Sequence, residues 1–386
     1  RSPAARRSSA SRSPPRSTSR GQILLSSTLG IDRCGRGPAL VLLHPLGADR
    51  HVWAPVASLL ASQRETFAVD LPGFGDSAPC SGEPTPLALA EAIDDGMREL
   101  GVNDYDVAGN SLGGWVALEL GLAERARSVT AIAPAGLWSR ALPPRRSQAR
   151  RAARAALPLL PLLSLYPSMR ARALALFAAH PERIPPPEAR RLIRAYATAP
   201  GFDAVNDAMR AGTFRGLNRM PVPTTLAWPE FDRLVGPPST IPQGVRAEVL
   251  RGCGHLPMWD DPRQVADLLL TDRVRAALRD KVAGMVDQLG GLLGANPAML
   301  TMAKGMAGDL LLREIDALAR ADGPTGEHIR ERIRERIDAL DVARLEALVL
   351  GFSRKQFRAI TWFGVLLGGL IGVAKVLLTQ VLPAAG

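Results

Sequence analysis

Five residues, Gly109-Asn110-Ser111-Leu112-Gly113, sit where a run suited to a buried strand gives way to a run suited to a helix. A G-x-S-x-G pattern at such a junction demands a sharp strand–turn–helix. The turn forces its serine into strained backbone, and the small neighbours leave room for the crossing. It also lifts the hydroxyl above the sheet, beside a helix N-terminus that favours developing negative charge. The pentapeptide recurs by chance elsewhere; its place between strand and helix gives it weight.

The surrounding pattern supplies the sheet. Residues 39–44, 66–70, 104–110 and 128–133 read as buried strands, with helical stretches at 86–100 and 113–126 between them. Two more strands are expected at 223–228 and 246–250. Strands alternating with helices predict an α/β domain over residues 21–272, built on a doubly wound, mostly parallel sheet covered on both faces.

The alternation breaks at about residues 139–218, a helical, proline-punctuated insert expected to form a cap over an active site. Its charge is lopsided: residues 139–194 carry 12 arginines against only Glu182 and Glu188. Arg146, Arg150 and Arg154 share one helical face, which is either a ligand-facing surface or a solvated one.

The net charge of +11 raises the question of a nucleic-acid partner. Residues 1–20 hold six arginines and no acid, whereas residues 21–272 hold 26 basic and 25 acidic side chains. The globular part is nearly neutral and no nucleic-acid-reading module accompanies the basic segment, so no such partner is expected. Residues 1–20 read as a disordered basic tail, a composition that also suits an organelle transit peptide. No long apolar stretch follows them, so no secretory signal is expected. Cys34, Cys80 and Cys253 are too few and too scattered for a disulfide framework or a zinc site. Neither metal nor organic cofactor is implied.

After Thr271 the chain turns helical throughout. Ile329, Ile333, Ile337 and Leu340 form one apolar stripe in a helical stalk expected over 273–358, with breaks at 290–297 and 322–326. Residues 359–382 carry a single charge, Lys375. As a helix they would reach about 36 Å, more than the roughly 30 Å hydrocarbon layer, and a transmembrane span is predicted. Arg354, Lys355 and Arg358 precede it and no charged side chain follows Leu382, which predicts a cytoplasmic head. Lys375 lies close enough to the far end to snorkel outward.

A serine hydroxyl needs a base, and the base needs an orienting group. The chain has five histidines. His255, in a glycine-flanked loop after the last expected strand, can reach back over the sheet; His180 and His328 suit surface positions in the insert and the stalk. Asp232 follows the strand ending at Trp228. Ser111, Asp232 and His255 thus occur in the order serine, acid, histidine, each after a strand.

On these residues the region 21–272 resembles an α/β-hydrolase with a helical cap. Two further motifs carry the resemblance, His44-Pro45-Leu46-Gly47 and Asp70-Leu71-Pro72-Gly73-Phe74-Gly75-Asp76-Ser77. The family pattern implies an oxyanion hole from the Leu46 and Leu112 backbone N–H groups and assigns no chemistry to the second motif. Pro45 departs from the common His-Gly but leaves the donor one residue later untouched. Pro229 replaces a usual glycine, which leaves Glu230 as a rival to Asp232. Dehalogenases and epoxide hydrolases of this fold use aspartate where this chain has Ser111.

Leu345-Glu346-Ala347-Leu348-Val349, Phe357-Arg358-Ala359-Ile360 and the spacing of Gly364, Gly368 and Gly372 resemble the end of an uncharacterised bacterial membrane-protein family. The three glycines offer a close-approach face for another helix. Together the resemblances imply a membrane-anchored serine hydrolase acting on ester-like acyl bonds of a small-molecule or lipid-like substrate. A carbon–carbon bond hydrolase, a perhydrolase and a catalytically silent membrane scaffold are the alternatives.

Overall fold

The computed structural model describes residues 22–25, 28–144 and 148–272, with isolated helical positions at 284, 287, 301 and 304. The expected tail over 1–20, Arg146, His328, the rest of the stalk and the span with its three glycines lie outside the described residues. The chain divides into two compact units, Arg1–Asp309 and Leu310–Gly386, and everything described here belongs to the first.

Eight strands form one sheet: β1 (Gln22–Leu25), β2 (Gly30–Gly35), β3 (Ala39–Leu43), β4 (Glu65–Val69), β5 (Tyr105–Asn110), β6 (Val129–Ile132), β7 (Thr224–Pro229) and β8 (Val245–Leu250). Their order is β1-β2-β4-β3-β5-β6-β7-β8. β2 runs antiparallel to β1 and β4, and every other neighbouring pair is parallel. The mostly parallel sheet read from the alternation is therefore the observed one.

The side-chain period of two distributes the core over both faces. Val41, Leu43, Phe67, Val69, Val107, Val129, Ala131, Leu226 and Trp228 enter one apolar cluster, while Leu40, Leu42, Ala68, Ala108, Ile132 and Ala227 enter the other. Fully burying a side chain of this size contributes about 1.5–3 kcal/mol. α1 (Ala54–Leu60) covers the second face through Val56 and Leu60; residues 262–272, also helical, add Val265, Leu268 and Leu269. α2 (Pro86–Glu99) and α3 (Leu112–Leu122) cover the first. Thr85 caps α2 by accepting from Ala88 N–H, with Pro86 at the position where a missing N–H costs nothing.

Between β6 and β7 lie α4 (Gln148–Ala156), α5 (Leu160–Leu163), α6 (Pro167–Leu174), α7 (Pro186–Thr198) and α8 (Phe202–Ala211). Arg150 binds them together and is buried. Its guanidinium donates to Tyr196 O (3.0 Å), Ala199 O (2.6 Å) and Asp203 (2.7 Å), and stacks 4.5 Å from the Phe202 ring. Arg154 donates to Ala197 O, and Arg170 donates to the carbonyls of Ser164 and Leu165. Carbonyls at a helix C-terminus lack intrahelical donors, so arginine is a fitting partner for them. Arg150 therefore faces neither ligand nor solvent.

At the N-terminal edge of the sheet, Asp272 is buried. It accepts from Thr130 Oγ1 (2.7 Å), Thr225 Oγ1 (2.9 Å) and Arg246 Nη1 (2.6 Å). Burial pushes its carboxyl up, against the pull of the arginine and the two hydroxyls.

Candidate active site

β5 runs directly into α3, and Ser111 takes the corner at φ +56°, ψ −111°. That backbone costs a non-glycine residue roughly 1–3 kcal/mol and persists only where the surroundings enforce it. They do so here: Ser111 N–H donates to Ile132 O (2.9 Å), and Ser111 O accepts from Ala135 N–H (2.9 Å) and Trp115 N–H (3.1 Å). The flanking glycines are required by contact. A Cβ on Gly109 would stand 2.0 Å from Gly113 O, and one on Gly113 would stand 2.4 Å from Leu43 O.

Two backbone donors lie beside this corner. Leu112 is the first residue of α3 and has no intrahelical acceptor. Leu46 is the second residue of a turn closed by Ala48 N–H and Pro45 O (3.1 Å), a bond that leaves the Leu46 N–H unused. His44 fixes that loop from below. Its Nδ1 donates to Pro45 O (2.8 Å) and its Nε2 accepts from Leu71 N–H (2.9 Å), tying the β3 exit to the β4 exit. The ring is fully buried, and burial lowers its pKa, so it stays neutral in this tautomer.

The β4 exit is held by charge. Asp70 accepts from the Arg50 backbone N–H (2.7 Å), its guanidinium and Asp76 N–H (2.8 Å). Arg50 reaches Asp32 (2.9 Å) and Asp76 (2.8 Å) as well. The Asp70–Ser77 motif is thus a scaffold for the loops, not a reacting group.

His255 lies in the loop between β8 and α9 (Pro257–Asp260), and its Nδ1 meets Asp232 Oδ2 at 2.7 Å. The other Asp232 oxygen accepts from Leu234 N–H (2.7 Å) and Val235 N–H (3.1 Å). Burial pushes this carboxyl up, but the His255 bond and the two backbone donors outweigh it and hold it below the ordinary aspartate value. An ionised carboxylate only accepts, so Nδ1 carries the proton of this bond and Nε2 of a neutral ring keeps its lone pair. Glu230 points elsewhere: it is exposed and accepts from Gly252 N–H (2.9 Å). Proline at position 229 does not keep Asp232 from meeting the His255 ring.

Ser111 and His255 line one cavity of about 1050 Å³, together with Leu46, Trp138, Phe177, Tyr196, Phe202 and Val235 among others. No hydrogen bond joins the Ser111 hydroxyl to the His255 ring in this structure. Such bonds are often long without substrate and tighten in the complex. Among the described residues, no group of three or more His, Cys, Asp or Glu is placed to hold a metal ion.

One residue of the site was not signalled by the sequence. Asp260, buried, accepts from Gly254 N–H (2.7 Å), Ala179 N–H (2.9 Å) and His180 N–H (2.6 Å). Leu256 N–H also donates to Phe177 O (2.7 Å). The histidine loop is thus stapled to the cap on both sides of His255. Cys253, beside it, is buried; burial and the neighbouring Asp260 and Asp261 push its thiol up to about 12, which leaves it inert as a nucleophile. The His180 side chain pairs with Glu182 (3.4 Å) on the surface of the cap.

A mostly parallel sheet, a strained serine at its C-terminal edge and a histidine–carboxylate pair across the same cavity define a class, and the chain belongs to it: residues 40–268 match the alpha/beta hydrolase family. Residues 247–382 match a second family, described as a protein of unknown function (DUF445). Epoxide hydrolase EphH of Mycobacterium tuberculosis is 34% identical over 196 residues, 47% of this chain and 91% of that protein. A UPF0754 membrane protein of Exiguobacterium sibiricum is 59% identical over 46 residues, only 12% of either chain. The C-terminal part therefore resembles a membrane-protein family. Among solved structures, a membrane phospholipase A described as a bacterial virulence factor aligns with TM-score 0.52 at 25% identity, covering 67% of this chain and 86% of that one.

Proposed function

We propose that this chain is a serine hydrolase of acyl esters, held at a membrane by its C-terminal segment. The observation that carries the reading is the His255–Asp232 bond facing the same cavity as a serine in strained backbone. His255 Nε2 takes the Ser111 proton as Oγ attacks the ester carbonyl. The Leu46 and Leu112 N–H groups stabilise the resulting oxyanion. The carbonyl reforms as the alcohol departs with the proton from His255, which then activates water to release the acid from Ser111. Asp232 keeps the ring in the working tautomer throughout.

The apolar cavity suits an acyl chain, and the likeness to a phospholipase agrees with that choice. Likeness to an epoxide hydrolase favours a second reading, epoxide opening. Ser111, standing where that chemistry uses aspartate, weighs against it. For the C-terminal part we propose a stalk over 273–358 and a span over 359–382, with the head cytoplasmic.

The test is labelling with a fluorophosphonate, which reports an activated serine. The wild-type chain is expected to be labelled and Ser111→Ala to be unlabelled. The same substitution should lower hydrolysis of p-nitrophenyl esters by about four to six powers of ten. Labelling that survives in Ser111→Ala, or turnover of epoxides but not esters, defeats the reading.

A further inference from the structure

Apolar side chains on the outside of the described residues are concentrated in one place. Leu159, Leu162, Leu165, Tyr166, Met169 and Leu176 are all exposed, at 46–60%, within 18 consecutive positions of the cap. They follow α4 and run along α5 and α6, where turns link them without interruption: Leu165 N–H to Leu162 O, Met169 N–H to Tyr166 O. Met169 and Leu176 also line the cavity, so this surface continues into its mouth. Phe231 and Leu234, also exposed, extend it on the other side, where Arg233 donates to Ala175 O. A monomer rarely leaves a contiguous apolar surface open unless the surface has a partner.

The charge around the patch selects the partner. Arg151 and Arg172 are exposed and have no carboxylate partner among the described residues, and Arg172 lines the cavity with Met169 and Leu176. The two acids of residues 139–194 are engaged, Glu182 with His180 (3.4 Å) and Glu188 with Arg191 (3.9 Å). Leucine and tyrosine with Arg172 at the same cavity mouth and Arg151 on the neighbouring helix match an interface that is apolar beneath and anionic above.

We propose that the outer face of the cap docks on an anionic lipid bilayer, with the side chains from Leu159 to Leu176 entering the interface and the arginines meeting the headgroups. The mouth of the cavity then opens onto the acyl region. This contact is separate from any C-terminal span and does not depend on the chemistry assigned to Ser111.

The full-length chain, reconstituted into vesicles of phosphatidylglycerol and brominated phosphatidylcholine, provides the test. A tryptophan introduced by Leu162→Trp is compared with one introduced by Leu59→Trp, on α1 near the opposite edge of the sheet. Both are read against the parent in a Ser111→Ala background, so that no turnover is needed and the docking and the acyl chemistry fail separately. Quenching by the brominated chains should be several-fold greater at the cap position. Combining Arg151→Glu and Arg172→Glu should remove most of the difference. Equal quenching at the two positions, or an undiminished difference in purely zwitterionic vesicles, overturns the proposal. So does a photo-crosslinker at position 162 that captures a second copy of the chain rather than lipid.

Discussion

Arg50 and Arg150 are both buried, and each holds together the loops or helices on one side of the cavity. Arg50, in the head, meets carboxylates: Asp32, Asp70 and Asp76. Arg150, in the cap, meets carbonyls and a ring, and the carboxylate it reaches, Asp203, has a side chain that is 69% exposed. The head is thus built around one carboxylate withdrawn from water, Asp70, with Asp32 and Asp76 more exposed beside it, and the cap on arginines that finish the ends of helices. Opposite charges in a dry site lock a geometry, and removing one partner strands the other. Carbonyl partners are weaker and more numerous, so a cap made this way loses less when any one of them goes. The difference suits a rigid set of loops beneath a more yielding helical cover.

The comparison breaks most visibly if the carboxylates of the head prove dispensable. Asp232→Asn should lower ester turnover by about four powers of ten, because the amide favours the wrong histidine tautomer. Glu230→Gln, whose partner is a surface N–H, should stay within about tenfold of wild type, since surface changes away from such features are small. Steady-state kinetics on both variants decides the matter, and a larger effect from Glu230→Gln would reverse the assignment.

Next in size is a pair of stability measurements. Asp70→Asn leaves Arg50 short of a buried counter-charge and should cost about 3–5 kcal/mol in urea unfolding. Asp203→Asn removes a largely exposed partner of Arg150 and should cost under about 1 kcal/mol. Similar losses in the two variants would mean that the regions are not built differently.

The smallest effect sharpens the comparison inside the head, where His44 is held by two neutral bonds instead of charge. Its folded pKa lies below the ordinary value because of burial. As pH falls below about 6.5 the unfolded chain takes up a proton that the folded chain refuses, and stability is lost. Between pH 6 and 5 the wild type should lose up to about 1.4 kcal/mol per pH unit more than His44→Asn. Parallel slopes for the two would show that His44 is protonated in the fold.

Much of this head was legible because its features lie close together along the chain. Strand positions alternate with helices, so 104–110 was readable within a residue of the observed β5. The elbow was readable because Gly109 and Gly113 have no alternative at that crossing. The rival acids Asp232 and Glu230 could not be separated by spacing alone; the choice depends on which carboxylate the loop turns inward, a tertiary property. Asp260 was illegible for a related reason. Its partners are backbone N–H groups 80 residues away at His180 and near at hand at Gly254, and backbone donors carry no residue code. Arg150 was illegible for the same reason. A charge count registers carboxylates but not the carbonyls of Tyr196 and Ala199, so one buried clamp could not be told from the exposed arginines around it in sequence.

The last strand has a practical consequence for anyone dividing this chain. The second family match begins at residue 247, inside β8, and overlaps the hydrolase match through residue 268. A fragment trimmed to that second match would carry away most of β8 together with His255, and would leave β7 as an unprotected edge open to pairing with other molecules. A cut just before Asp272 would be little better, since Arg246 and the two threonines would lose the acid they share. Fusions, tags and truncations that respect the hydrolase must therefore join the chain beyond that aspartate, at the edge of the sheet opposite Ser111.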